Sequence, residues 1–89
     1  MITKEELSRL LIAAVTGGYI KVVKALILEG ADVNAKGHRE KTALMFASEE
    51  GRIEIAEALI KAGADVNAKS YFKDTIKILT FQVFFINWN

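Results

Sequence analysis

The stretch EGADVNAK, Glu29 to Lys36, returns as AGADVNAK from Ala62 to Lys69. Seven consecutive residues agree, and the offset is 33 residues. The match continues upstream at the same offset. Ala14 pairs with Ala47, Gly18 with Gly51 and Ile20 with Ile53. Val22 pairs with Ile55, Ala25 with Ala58, Leu26 with Leu59 and Ile27 with Ile60. A period of this length marks a repeat array in which no unit buries its own apolar face, so that neighbouring units must stack.

The second copy, KTALMFASEEGRIEIAEALIKAGADVNAK, spells out the unit. Thr42 is a good N-cap for a helix running to about Glu50, because its hydroxyl can accept a hydrogen bond from an orphan backbone N–H. Gly51 suits the position after that helix, where φ is positive. A second helix starts at Ile53 and carries an apolar stripe of Ile55, Ala56, Leu59 and Ile60. Gly63 ends it in the same way. In Ala64-Asp65-Val66-Asn67 the polar side chains can bond their own backbone, while Val anchors the turn inward. The first copy begins with Thr3-Lys4-Glu5-Glu6, a capping box with Glu6 three residues after Thr3. Leu7, Leu10, Leu11 and Ala14 are expected to form the buried stripe of its first helix. Lys4, Glu5, Ser8 and Arg9 are expected to face water. A second helix from Ile20 to Glu29 carries Val22, Val23, Leu26 and Ile27.

Helix, glycine turn, helix, glycine, turn at this period resembles an ankyrin repeat. The family's Thr-Pro-Leu-His-Leu-Ala-Ala stretch appears as TALMFAS, Thr42 to Ser48, and its Gly-Ala-Asp-Val-Asn-Ala signature is complete twice. Ala43 and Met45 stand where the family has Pro and His. Gly37 and Glu40 stand where its finger-like hairpin usually has Asp and, at the tip, Gly; a Glu disfavours the positive φ of a tip. The resemblance covers Leu7 to Lys69. It implies an all-α solenoid of stacked helix-turn-helix units with short hairpin fingers. The division expected is an N-terminal capping repeat over 4–36, a full repeat over 37–69 and a partial C-terminal repeat over 70–89.

The C-terminal stretch SYFKDTIKILTFQVFFINWN fits no clean third copy. At strict register Lys77 falls on the buried Leu44 position, and no glycine turn or second helix follows. TFQVFFI is aromatic, β-branched and uncharged, which favours association. Three accounts stay open: a helix capping the second repeat, a segment over 76–89 that binds a partner or another copy, or a non-native tail left where the reading frame of a longer array is truncated or frameshifted. Repeat context favours the helix.

Composition sets the outer bounds. The 89 residues suffice for one small domain, and 52% are apolar. The net charge of +1 argues against a nucleic-acid footprint, which needs a basic face. Without cysteine there is no disulfide framework and no thiolate metal site. No apolar run reaches the ~18 residues of a spanning helix, no signal peptide is evident, and a cytoplasmic protein is expected.

No cofactor, metal site or catalysis is expected. Glu49 and Glu50 are adjacent on a helix, so their carboxylates diverge. The glycines follow helices, unlike those of a phosphate loop. By resemblance the protein binds another protein on a concave face of fingertips and inner-helix surfaces. The residues carried over to that face are Lys36, His38, Arg39, Lys41, Met45, Ser48 and Glu49, then Lys69, Tyr71 and Phe72. Met45 belongs either to the stack or to that face. Tyr71 and Phe72 either mark a contact, since aromatics dominate binding hot spots, or fold onto the C-terminal stretch. The alternative is a fragment of a longer array that self-associates through its apolar end, since about three repeats are usually needed for stability.

Overall fold

The computed structural model describes residues 1–69. The expected C-terminal helix and the associating stretch 76–89 therefore lie outside the described residues. Four α-helices are described: α1 (Lys4–Gly17), α2 (Ile20–Leu28), α3 (Ala43–Glu49) and α4 (Ile53–Lys61). A single 3-10 turn, His38–Glu40, lies between α2 and α3. Each helix pair forms a hairpin, α1 with α2 and α3 with α4. The pairs stack with α3 on α1 and α4 on α2.

Local sequence explains where the helices start and stop. The Thr3 hydroxyl accepts a hydrogen bond from the Glu6 N–H at 3.1 Å, and the Glu6 carboxylate accepts one from the Thr3 N–H at 3.3 Å. That reciprocal box satisfies donors that no helix turn can reach. Thr42 caps α3 through the Met45 N–H at 3.4 Å. Gly18 (φ 80°) and Gly51 (φ 67°) terminate α1 and α3 in the left-handed region, which a side chain enters only at a cost.

The core runs through both repeats. Leu11, Val15, Val23, Leu44 and Leu59 are its largest fully buried side chains. Two expectations for α1 are corrected here. Ser8 is buried, whereas Leu10 is 47% exposed. Ser8 Oγ donates to the Lys4 carbonyl at 2.9 Å and accepts from the Asp32 N–H at 3.1 Å. This bond holds Ser8 against the turn after α2. Leu11 and Val15 lie in the core, while Leu10 lies on the face of α1 away from the second repeat; its equivalent Ala43 is buried.

The DVN turns are built as expected. Asp32 and Asp65 each accept the N–H of the Asn two residues on, at 2.9 Å, while Val33 is buried and Val66 half-buried. Asn34 then reaches across to the second repeat. Its amide donates to the Gly63 carbonyl at 3.1 Å and accepts from the Asp65 N–H at 2.7 Å. Arg52 makes a second crossing: its guanidinium lies against Gly18 and donates to the Thr16 carbonyl at 3.4 Å.

Asn34→Ala removes two bonds between repeats, and we expect a loss of about 1–3 kcal/mol. Asn67→Ala, at the equivalent position but with no side-chain hydrogen bond among the described residues, should stay within about 0.5 kcal/mol of the parent. Urea midpoints at constant m-value compare the two; equal effects would contradict the bridging role of Asn34.

Candidate functional site: a finger on the inner helix

The loop between the repeats folds into a small finger. Lys36 and Thr42 pair as an isolated antiparallel bridge at its base. The Gly37 N–H donates to the Lys41 carbonyl at 2.8 Å, and the Glu40 N–H donates to the Gly37 carbonyl at 3.0 Å. The base leans on the helices, because a Cβ at Gly37 would lie 2.9 Å from Ile12 Cδ1 and 3.9 Å from the Phe46 ring. The tip is strained. Arg39 (φ 57°) and Glu40 (φ 58°) both adopt left-handed backbone, a conformation disfavoured for side chains other than Asn and Asp.

Charges tie the finger down on both sides. The Lys41 ammonium pairs with the Glu49 carboxylate and lies 5.9 Å from the centre of the Phe46 ring, within cation–π range. The Lys41 side chain is largely sequestered, with 17% of its surface exposed, so this pair is screened less than an open surface pair. Lys36 lies 3.9 Å from Glu40 and donates to the Lys69 carbonyl at 3.3 Å. Lys36 and Lys69 are equivalent residues of the two repeats, and the bond joins the finger base to the segment after the second DVN turn.

The structure therefore gathers Lys36, His38, Arg39, Lys41 and Glu49 around one finger. His38, Arg39 and Glu40 form its exposed tip. Ser48 is half-buried on α3, and Lys69, the last described residue, is exposed. Tyr71 and Phe72 lie outside the described residues. Met45 is a correction: it is only 3% exposed. The α3 helix is held between α1 and α4, so Thr42, Ala43, Leu44 and Met45 are all buried, and Met45 belongs to the stack.

A shallow groove of about 380 Å³ runs beside the finger, between its base and the first half of α1. Lys4, Arg9, Ile12 and Lys36 line it, together with Glu5 and Asp32. Its α1 residues are a surface that sequence reasoning assigned simply to water. The signal that could have found them is positional: Thr42, at the base of the finger, is the equivalent of Arg9.

The groove and finger offer polar and charged groups for contact. The buried hydroxyls are already engaged, Ser8 with Lys4 and Asp32 and Thr42 with Met45. Among the described residues, no group of three or more His, Cys, Asp or Glu side chains could hold a metal ion. None of their helices is long and apolar enough to cross a membrane.

The family model for ankyrin repeats (3 copies) matches residues 3–70. A comparison with curated proteins gave no match. Ankyrin repeats are generally protein–protein interaction modules and typically non-catalytic. Doubled turn signature, stacked helix pairs and family model agree, and the chain belongs to the ankyrin-repeat family.

Proposed function

We propose that the chain binds a partner protein stoichiometrically through the finger and the adjoining inner-helix surface, using His38, Arg39, Lys36, Lys41, Ser48 and Glu49, with Lys69, Tyr71 and Phe72 continuing the row. The observation that carries this reading is the fingertip. Glycine would adopt the backbone of residues 39 and 40 without strain. An Arg and a Glu stand there instead, at a conformational cost of about 1–2 kcal/mol per residue. Strain held at an exposed position is a mark of function, and here the groups it presents are charged. The Lys41–Glu49 pair and the Gly37 packing hold the finger still, which lowers the entropy lost on binding. The mode of action is recognition, with no cofactor. We take the cytoplasm as the location, a reducing compartment to which a cysteine-free chain is suited.

Two measurements test the reading. Glu40→Gly should relieve strain and stabilise the fold by about 1 kcal/mol, raising Tm by roughly 4–8 °C for a domain of this size. A lowered Tm in a circular-dichroism melt would contradict the strained tip. For a partner selected by affinity from a displayed protein library, Arg39→Ala combined with Tyr71→Ala and Phe72→Ala should weaken binding at least tenfold with helicity unchanged. Unchanged affinity by calorimetry would remove the finger from the binding face.

A further inference from the structure

The groove beside the finger exists because the two repeats open differently. The helix α1 starts at Lys4 and α3 at Ala43. At the 33-residue offset Ala43 is the equivalent of Leu10, so α1 begins six residues early (10 − 4). Lys4 to Ser8 are helical where their equivalents, Gly37 to Lys41, build the finger. This added length of helix stands across from the finger base and makes one wall of the groove. Ser8 fixes that wall, since its hydroxyl donates to the Lys4 carbonyl and accepts from the Asp32 N–H. Both walls belong to the two described repeats, and the half-buried Ile12 lies between them.

The groove's charges say what it takes. Three cations line it, Lys4, Arg9 and Lys36, against two acids, Glu5 and Asp32. The Asp32 carboxylate is engaged by the Asn34 N–H at 2.9 Å. Lys4 and Arg9 are exposed and form no ion pair among the described residues. The Lys36–Glu40 contact is an open surface pair at 3.9 Å, worth little and readily exchanged. We infer that the groove takes an acidic peptide segment of the partner, with Arg9 and Lys4 as its anchors and Lys36 meeting it from the finger side. This rests on the reading of the chain as a binding module and adds to it two residues and a chemistry. Arg9 presents a planar fork that can hold a carboxylate through two parallel hydrogen bonds, and the lysines add point charges for neighbouring acids. At about 380 Å³ the groove is at the low end of the ~300–1,000 Å³ of ligand clefts, so it suits a few side chains of a peptide. The C-terminal stretch of this chain does not match that chemistry, since 70–89 carries Lys73 and Lys77 against Asp74 alone. A nucleic acid is disfavoured by Glu5 in the groove and by a net charge of only +1.

Selection of short random displayed peptides on the full chain tests the chemistry. Sequences enriched in Asp and Glu are expected, and a synthetic copy of the leading one is the probe for fluorescence anisotropy. Lys4→Gln with Arg9→Gln should raise its dissociation constant at least tenfold, and added salt should weaken the parent complex more than the variant one. Both side chains are exposed, so helicity should persist. Lys24→Gln with Lys61→Gln, on the α2–α4 side, should leave affinity within twofold. The same peptide with Asn and Gln in place of its acids should lose the parent chain to the same extent, which keeps the test decisive if the double variant unfolds. No enrichment, selection of apolar or basic peptides, an affinity untouched by the double variant, or an equal loss from the Lys24 and Lys61 changes would overturn the proposal. So would a short single-stranded DNA that binds as tightly as the peptide. The fingertip is scored separately. If the peptide needs Lys4 and Arg9 while the protein selected above ignores the Arg39, Tyr71 and Phe72 changes, the groove stands and the fingertip falls. The reverse pattern overturns the groove alone.

Discussion

A layer one helix pair thick cannot cover itself. Each α-hairpin here has apolar residues on two sides, and its own partner helix covers neither completely. Everything else in the molecule follows from how that exposure is relieved. Between the repeats, α3 settles on α1 and α4 on α2. Asn34 and Arg52 then fix the spacing by bonding backbone groups of the neighbouring repeat. These polar bonds supply register, whereas the burial of Leu11, Val15, Val23, Leu44 and Leu59 supplies most of the driving force.

The finger depends on the same stacking. Its base is pinned where Gly37 meets Ile12 of the first repeat and Phe46 of the second. Lys41 is held by Glu49, one turn beyond Phe46 on α3. The strained tip is therefore carried by a rigid foundation, which is the arrangement in which disfavoured backbone persists. The finger and the groove beside α1 share one side of the stack, and Lys36 contributes to both.

The helices and turns were legible in the sequence because their signals are local. Thr3, Thr42, Gly18, Gly51 and Gly63 act on backbone groups within a few residues, and the duplicated turn fixes the period. The tip was not legible: a Glu disfavours positive φ, yet Glu40 adopts it, and so does Arg39, which no sequence signal marked. What was not legible depended on distance. Periodicity alone suggested a stripe with Leu10 inside and Ser8 outside. The bond from Asp32 to Ser8 spans 24 residues, and no local pattern announces it. Met45 was ambiguous for a related reason. A short helix with neighbours on two sides is buried over so wide an arc that its apolar stripe has no clear edge.

The bridge made by Asn34 has a further consequence, for cooperativity. Its donor and acceptor belong to the first repeat and its two partners to the second. Neither bond can form while either repeat is unfolded. The bridge is thus a nearest-neighbour coupling term rather than part of the intrinsic stability of a repeat. Coupling of this kind depletes half-folded chains, in which one hairpin is formed and its neighbour is not. Such chains expose an uncovered helix face, so the same amide that sets the register also suppresses the species most prone to stray association.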